Sequence, residues 1–187
     1  MIAGRLRGRT LSAPAGDATR PTGARVREAL FSILGDVTEL SVLDLYAGSG
    51  ALGIEALSRG ASSAVFVEAA RPALACLREN LAKLKLESAA SVLPLRVESA
   101  LGQLHKYGRF GLVLCDPPWR DVKSAYGGLI ALANAGLLAP GARIALEHAA
   151  KDPVQEPESG SRLRLYDERR WGDTAVALFE PADVPVP

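Results

Sequence analysis

The sequence predicts one α/β domain whose mostly parallel sheet has helices on both faces. Short apolar strands and amphipathic helices alternate five times along the chain, which is typical of parallel strands joined by crossover helices. The strands are continuous apolar runs without strict alternation, and this indicates that both faces of the sheet are buried. The chain has 187 residues, 48% of them hydrophobic. Because domains typically run to about 100–200 residues, residues 1–187 are predicted to form a single domain with a sizeable core.

Local patterns place the individual elements. Residues 24–34 have apolar side chains at helical spacing and end at Gly35, a typical helix terminator. Further helices are predicted from the glycine turn to residue 60, from Pro72 to Leu84, over residues 100–105, and after Ser124 as a cap. Apolar runs predict strands at residues 42–46, 64–67, 92–97, 110–115 and 143–147, and a closing hairpin of residues 162–170 and 174–180 across Gly172-Asp173.

Charge is distributed unevenly along the chain. The net charge is only +1, from 22 basic and 21 acidic residues, but residues 1–27 contain six arginines against one acid, Asp17. That segment therefore has a net charge of +5, and the other sixteen bases and twenty acids give residues 28–187 a net charge of −4. A basic segment on a mildly acidic body is a pattern that binds phosphates. Bulky and basic residues alternate around Gly8, so residues 2–12 are predicted to form a β-hairpin arm, and residues 1–22 the arm with its linker.

Cysteine usage and hydropathy indicate a cytoplasmic protein. Cys76 and Cys115 lie far apart in apolar runs, so buried thiols are expected rather than a disulfide or a metal site, and no metal is expected. The N-terminus lacks the apolar region of a signal peptide. Residues 124–142 have no charge, but their glycines and proline favour a helix, a turn and a strand over a membrane span. The proline-rich tail, residues 181–187, is expected to be loose.

A glycine-rich turn follows the first predicted strand. Residues 48–53 match the pattern GxGxxG between a strand and a helix, and Glu68 follows Gly48 by 20 residues. Glycines allow a sharp turn and a close approach of the backbone to a ligand, while an acid at the end of the second strand can accept hydrogen bonds from ribose hydroxyls. This pattern predicts a nucleoside cofactor, and by itself it fits NAD as well as any other.

Asp44 favours a different cofactor from NAD. It lies on the first strand, four residues before Gly48, where a carboxylate can order the turn and face a cation. S-adenosylmethionine has two cationic groups, the amino group and the sulfonium. NAD places a pyrophosphate at this turn, which a neighbouring carboxylate repels. The sequence also contains no separate substrate domain for hydride chemistry after the nucleotide-binding half.

The segment Asp116-Pro117-Pro118-Trp119 follows the fourth strand, beside the point where doubly wound folds bind ligands. Two prolines remove two amide donors, so their carbonyls and the Asp116 carboxylate offer only acceptors, and the Trp119 indole offers a face to a planar base. This set suits an exocyclic amine on an aromatic ring, with base stacking worth about 1–3 kcal/mol. Orienting both N–H bonds of such an amine aims its lone pair at a methyl group. Catalysis is then expected from positioning and electrostatics, without a covalent nucleophile.

On these residues the chain resembles the bacterial 16S rRNA (guanine-N2)-methyltransferase D family of the class I S-adenosylmethionine-dependent methyltransferases. The resemblance extends over nearly the whole chain. Its segments are residues 4–9 (GRLRGR), 20–31 (RPTGARVREALF), 44–60 (DLYAGSGALGIEALSRG), 67–68 (VE), 80–81 (NL), 116–118 (DPP) and 171–174 (WGDT). None of these segments is specific alone, but the Arg-Pro-Thr segment, the glycine segment and the DPP motif together are highly specific.

The resemblance implies a Rossmann-like sheet of seven strands, mostly parallel with an antiparallel last strand, after the N-terminal β-hairpin arm. It implies methyl transfer from S-adenosylmethionine, with S-adenosylhomocysteine as product, to the N2 amine of one guanine in 16S rRNA. The enzyme is expected to be a monomer that acts on an assembling small subunit.

The implied cofactor-binding residues are Asp44, Ala47, Gly48, Ser49, Gly50, Glu68 and Ser99. The implied catalytic residues are Asp116, Pro117, Pro118 and Trp119. The implied RNA-binding residues are Arg5, Arg7, Arg9, Arg20, Thr22 and Arg25. Of the same segment, Arg20, Pro21, Thr22 and Arg25 are expected to border the catalytic site.

One departure from the family pattern leaves an assignment open. Ser99 stands where such enzymes usually place Asp or Asn against the adenine amine, so either Ser99 or Glu98 is predicted to accept the hydrogen bond from that amine.

Other functions also fit parts of the pattern. An adenine-N6 or cytosine-N4 methyltransferase uses the same tetrapeptide, a protein-glutamine methyltransferase resembles it with Asn in place of Asp116, and an NAD-dependent oxidoreductase shares the glycine turn. A non-catalytic RNA-binding module is a further alternative.

Overall fold

In the computed structural model, which describes residues 1–13, 23–158 and 160–182, strands and helices alternate through most of the chain. The strands are β1 (Ser41–Leu45), β2 (Ser63–Val67), β3 (Ala90–Leu93), β4 (Phe110–Cys115), β5 (Leu138–Ala149), β6 (Leu163–Trp171) and β7 (Thr174–Pro181). The α-helices are α1 (Ala24–Leu34), α2 (Ala51–Ser58), α3 (Arg71–Lys83), α4 (Val97–Ala100) and α5 (Val122–Asn134). Short 3₁₀ helices occur at Gly4–Leu6, Glu87–Ala89, Leu101–Tyr107 and Trp119–Asp121.

The seven strands form one sheet in the order β3-β2-β1-β4-β5-β7-β6. Strands β1 to β5 pair in parallel, and β7 runs antiparallel to both of its neighbours, β5 and β6. The predicted sheet is therefore confirmed, including the antiparallel last strand. The strand order reverses direction between β1 and β4, and ligands of doubly wound folds bind outside the carboxyl ends of the strands at such a point.

Two hydrophobic clusters cover the two faces of the sheet, as predicted. Successive residues of a strand point to opposite faces, and on β1 Leu43 and Leu45 belong to one cluster while Val42 belongs to the other. The first cluster includes residues of α5 and β5, and the second includes residues of α1, α2 and α3. Asp44 shares the Val42 face and is therefore directed toward α2.

The helices agree closely with their sequence patterns. Helix α1 has the predicted bounds and ends at Gly35, whose φ is 68° and whose amide donates to the Phe31 carbonyl at 3.1 Å. Pro72 lies in the first turn of α3, as predicted. Both cysteines are buried and free, which confirms that they are not a disulfide. None of the helices in the described ranges combines the length and the hydropathy that are needed to cross a bilayer.

The predicted β-hairpin arm is wrong, because residues 1–13 contain no strand. This segment is a loop with one 3₁₀ turn, closed by hydrogen bonds from the Gly8 amide to the Met1 carbonyl at 3.0 Å and from the Arg9 amide to the Leu6 carbonyl at 3.0 Å. Other amides of the segment donate to side chains of α2. Because its backbone donors have these partners, the arm needs no second strand.

Three smaller predictions are also corrected. Strand β3 ends at Leu93 rather than at residue 97, because Pro94 has no amide to continue the ladder. Ser124 lies inside α5 and does not cap it; its hydroxyl donates to Glu98 at 3.0 Å. The tail is ordered through Ala182, since Pro181 pairs with Leu163 in the closing hairpin. Residues 183–187 and the linker residues 14–22 lie outside the described part of the chain.

Candidate functional site

The predicted cofactor and catalytic segments meet at one edge of the sheet. Strands β1 and β4 are neighbours, with Leu45 in register with Cys115, so the glycine turn and Asp116 leave adjacent strand ends. The pairing continues past the strands: the Ala47 amide donates to Val67 at 3.1 Å, and the Asp116 amide donates to Leu45 at 3.4 Å. The carboxyl ends of β2, β1 and β4 thus bring Glu68, the turn and Asp116 side by side.

Backbone conformation at the turn explains two of its glycines. Gly48 and Gly50 have φ values of 57° and 83°, in the left-handed region that favours glycine. A Cβ on Gly50 would lie 2.5 Å from Leu77 of α3, whereas a Cβ on Gly48 would meet nothing closer than the Tyr46 carbonyl at 4.0 Å. Glycine at position 50 is therefore favoured by its left-handed φ and by the close packing of the Leu77 side chain on the turn. The turn is open above Gly48, where a ligand can approach the backbone.

Tyr46 departs from the predicted first strand. Its φ is 59°, a strained value for a side chain of this size, so the chain leaves the sheet one residue earlier than expected. Its hydroxyl is buried without a hydrogen-bond partner among the described residues. Burial raises the pKa of this phenol, and the nearby Cys115 raises it further. No local pattern signalled this conformation, since tyrosine is an ordinary strand residue.

All three glycine amides of the GxGxxG pattern have acceptors inside the protein. The Gly48 amide donates to Glu68 at 2.8 Å, and the Gly53 amide donates to Asp44 at 2.8 Å. The Gly50 amide donates to the Ala47 carbonyl at 2.7 Å. A pyrophosphate site needs such amides to be directed at the ligand, with positive potential at the turn. Because two of these amides face carboxylates instead, the turn is not built to hold a polyphosphate.

Asp44 is 1% exposed beneath the turn and holds the start of α2 through Gly53. A Cβ on Gly53 would lie 2.4 Å from the Phe66 ring and 2.9 Å from the Asp44 carboxylate, so only glycine allows this contact. Burial raises the pKa of Asp44 to about 7, and the neighbouring Asp116 and Glu68 carboxylates contribute to the increase. Asp44 thus orders the turn, as expected, but its burial leaves almost no surface for a direct contact with a ligand.

Glu68 is more strongly engaged by the backbone than its predicted role requires. It accepts the Gly48 amide with one oxygen and the Ala69 and Ala70 amides, at 2.8 and 2.7 Å, with the other. An ionised carboxylate has about four acceptor positions, so about one remains for a ribose hydroxyl. Glu68 therefore shapes the turn in addition to any contact with a ligand.

The tetrapeptide after β4 combines acceptors with an exposed aromatic ring. Asp116 is half-buried, Pro117 is buried, and the Trp119 side chain is 43% exposed. The Pro118 carbonyl accepts the Asp121 amide at 2.7 Å, which starts the turn into α5. Trp119 borders a surface cleft of about 260 Å³, whose other lining residues are Ala149, Ala150, Lys151 and Asp173. Within this segment, Trp119 is the residue that lines the cleft.

The two candidates for the adenine side lie on α4, after β3. Both Glu98 and Ser99 are exposed. A hydrogen bond from the backbone amide of Glu98 to its own carboxyl group lowers the pKa of that group. The hydrogen bond from the Ser124 hydroxyl lowers the pKa further. Glu98 also forms an ion pair with Arg96, with 3.6 Å between the Arg96 Nε and Glu98 Oε2 atoms. Since Glu98 already has these partners, Ser99 is the less constrained of the two.

The N-terminal arm, residues 1–13, is fixed on α2 by two buried side chains. Glu55 is fully buried and accepts the Ile2 and Ala3 amides at 2.9 and 3.0 Å. Ser58 accepts the Leu6 amide at 3.0 Å and donates to the Ala3 carbonyl at 2.5 Å. Neither residue was predicted to have a role from the sequence, although a polar pair at i, i+3 within an otherwise apolar helix is a detectable signal.

Gly4 allows this contact, and its replacement by alanine is expected to release the arm. A Cβ on Gly4 would lie 1.8 Å from the Ser58 carbonyl oxygen, whereas a Cβ on Gly8 would meet nothing within 4 Å. The φ values are similar, 73° and 81°, so both substitutions carry the same backbone penalty of about 1–2 kcal/mol. We expect faster amide hydrogen exchange at residues 1–13 in Gly4→Ala than in Gly8→Ala. Equal exchange in the two variants would show that the arm is not held by this contact.

The predicted RNA-binding residues are only partly described. Arg5, Arg7 and Arg9 are exposed on the docked arm, and Arg25 is exposed in the first turn of α1. The predicted residues Arg20, Pro21 and Thr22 lie outside the described residues. The residues that line the cleft beside Trp119 do not include the arm arginines.

The sheet order, the antiparallel β7, the glycine turn after β1 and the Asp-Pro-Pro segment after β4 define a class I methyltransferase with a Rossmann-like fold. A solved structure of a hypothetical protein from Thermus thermophilus is 32% identical, with a TM-score of 0.79 over 95% of this chain and 96% of that chain. The family model described as Conserved hypothetical protein 95 matches residues 1–180.

Two curated relatives identify the family. Ribosomal RNA small subunit methyltransferase D of Escherichia coli K12 is 37% identical over 186 residues, covering 96% of this chain and 88% of the relative. The Haemophilus influenzae protein of the same name is 34% identical over 182 residues, covering 96% and 92%. The chain belongs to the ribosomal RNA small subunit methyltransferase D family. This membership and the engaged glycine amides remove the oxidoreductase interpretation.

Proposed function

We propose that the protein transfers a methyl group from S-adenosylmethionine to the exocyclic N2 amine of a guanine in 16S rRNA. The observation that supports this most directly is the set of acceptors at the adjacent strand ends. Asp44, Glu68 and Asp116 surround a turn whose glycine amides are already engaged. This environment favours a cation over a phosphate, and S-adenosylmethionine is cationic at its amino group and sulfonium.

The residues around the turn fit this cofactor. The open space above Gly48 accommodates a ligand against the backbone, and the remaining acceptor position of Glu68 suits a ribose hydroxyl. We assign Ser49 to the same surface and Ser99 to the adenine side, while the buried Ala47 and Gly50 shape the turn beneath the cofactor. When bound, S-adenosylmethionine supplies an electrophilic methyl group on its sulfonium centre. The residues around the turn would hold the cofactor, and the acceptors after β4 would orient the amine that receives the methyl group.

The guanine is assigned to the segment after β4. Since the Pro118 carbonyl is engaged by Asp121, the amine protons are assigned to the Asp116 carboxylate and the Pro117 carbonyl. The Trp119 face stacks on the base, and Pro118 fixes the position of the indole. Cys115 is no nucleophile here: it is 2% exposed, and burial raises the pKa of its thiol well above the ordinary value. The rate enhancement then comes from orientation of the amine and from the acceptors.

The basic arm is assigned to RNA phosphates, with the rRNA presented by an assembling small subunit. Replacing Arg5, Arg7 and Arg9 by alanine is expected to weaken RNA binding and to flatten its salt dependence. Each lost phosphate contact reduces the magnitude of the slope of log binding constant against log salt concentration by about 0.7–0.9. Affinities measured at several salt concentrations for wild type and the triple variant check this. An unchanged slope would mean that the arm does not contact the RNA backbone.

Nucleoside mass spectrometry tests the proposed reaction directly. Small-subunit rRNA, free or in assembling particles, is treated with the protein and methyl-labelled S-adenosylmethionine and then digested to nucleosides. We expect label in N2-methylguanosine and none with duplex DNA as substrate. Label on another base or another atom would refute the guanine-N2 assignment. Adenine-N6 or cytosine-N4 products would establish the related amine chemistry instead.

A further inference from the structure

Asn80 joins the N-terminal arm to the cofactor turn. It lies on α3 and is fully buried. Its side-chain amide nitrogen donates to the Ser12 carbonyl and to the Ser49 carbonyl, both at 3.0 Å. Its side-chain oxygen accepts the Ser12 amide at 2.8 Å. One side chain therefore contacts residues that are 37 positions apart in the sequence, one in the arm and one in the turn.

The hydrogen bonds of Asn80 fix its orientation. Both amide protons meet carbonyl oxygens, and the amide oxygen meets an N–H group. A flipped side chain would therefore set its oxygen against two carbonyl oxygens and its NH2 group against the Ser12 N–H. Since the group is buried, loss of these bonds would leave backbone groups unsatisfied. Other side chains could fill the space, but few could bond to both segments at once.

The contact acts on the peptide that closes the turn. The Ser49 carbonyl is held by Asn80, and the amide of the same peptide unit, on Gly50, is held by the Ala47 carbonyl at 2.7 Å. The Ser49–Gly50 peptide is thus fixed from two sides. A ligand that stabilises this turn conformation also stabilises the position of Asn80, and through it the position of Ser12.

We propose that Asn80 is a positioning residue that couples cofactor binding at the turn to the placement of the arm. This inference rests on the proposed function, because it takes the turn as the cofactor site. Energetic coupling between two sites is reciprocal. A bound cofactor therefore holds the arm in its docked position, and a docked arm increases the affinity of the turn for the cofactor.

Amide hydrogen exchange with and without S-adenosylhomocysteine tests the coupling. In wild type we expect the ligand to slow exchange at the Ser12 amide by at least about fivefold, a usual size for coupling between sites. In Asn80→Ala we expect no change at Ser12 on ligand addition. Ligand affinity should fall about tenfold, because the turn loses its hydrogen bond from Asn80 to the Ser49 carbonyl and one such bond is worth about this factor. Asn80→Ser, which can bond to only one of the two segments, should give the same loss of coupling if Asn80→Ala does not fold.

Cys76→Ala is the matched control. Cys76 lies on the same helix, and its thiol donates to the same Ser12 carbonyl at 2.9 Å. The Asn80 side-chain nitrogen also lies 3.7 Å from the Cys76 sulfur, but Cys76→Ala removes neither the bond from Asn80 to Ser49 nor the bonds between Asn80 and Ser12. This variant should loosen the arm and yet keep the response of Ser12 to ligand. A ligand response that persists in both Asn80 variants, or is lost equally in Cys76→Ala, would overturn the inference. Failure of wild type to bind S-adenosylhomocysteine would instead refute the proposed function.

Discussion

Replacing Asp116 by alanine is expected to nearly abolish methyl transfer while leaving cofactor affinity within a few-fold of wild type. Asp116 follows β4 directly and is half-buried beside the glycine turn. In the proposed reaction its carboxylate accepts a proton of the guanine amine and orients the lone pair. Loss of one such preorganised group typically lowers turnover by about a hundred- to a thousandfold. The turn keeps Asp44 and Glu68, so the cofactor loses only part of the surrounding negative field.

Single-turnover rates and calorimetric titration with S-adenosylhomocysteine check this prediction. Asp121→Ala is the control, because it removes a carboxylate from the same segment and retains the backbone bond to Pro118. We expect Asp121→Ala to keep most of the wild-type turnover. If Asp116→Ala retained turnover, or if both variants lost it equally, the amine would not be held by Asp116.

Asp44→Asn is expected to separate protein stability from cofactor binding. Burial raises the pKa of Asp44 from 3.8 to about 7. A raised acid pKa favours the folded state at low pH, so this contribution is lost as pH rises from 3.8 through about 7. The shift corresponds to at most about 4 kcal/mol of unfolding free energy. Asparagine does not ionise, and its oxygen can still accept the Gly53 amide.

The expected result is a pH-dependent difference between the two proteins. Relative to wild type, the free energy of unfolding of cofactor-free Asp44→Asn should rise between about pH 4 and about pH 8. Wild-type affinity for S-adenosylhomocysteine, which has a protonated amino group, should increase as Asp44 ionises around neutral pH. The variant should bind more weakly and without that pH dependence. Denaturant titrations and calorimetry across this range measure both effects, and parallel curves for the two proteins would contradict the assigned ionisation.

The sequence predicted the sheet well because its elements obey local rules. Helix α1 was predicted with its observed bounds, since its apolar spacing and Gly35 are both local signals. Strand β4 was also predicted with its observed bounds, from a continuous apolar run that ends at Asp116. The position of the site followed from these elements, because the carboxyl ends of parallel strands lie at one edge.

The N-terminal arm could not be predicted in the same way. Alternation around Gly8 favours a hairpin if the segment satisfies its own hydrogen bonds. The observed partners are Glu55 and Ser58 on α2, more than 50 residues away in the sequence. Asn80 illustrates the same limit: its position on a helix was evident, but its bonds to Ser12 and Ser49 depend on how α3 packs.

The sequence by itself determined the fold class, the strand that precedes the turn, the acceptor-rich segment after β4 and the uneven division of charge. These features depend on side-chain periodicity and on the backbone limits of glycine and proline, which act over a few residues. Only the tertiary structure decided that the Gly48 amide bonds to Glu68 and the Gly53 amide to Asp44. It also decided that Asp44 is buried with a raised pKa and that the arm is fixed on α2. The physical reason is that burial and buried hydrogen bonds join residues distant in sequence, so they exist only once the layers have packed.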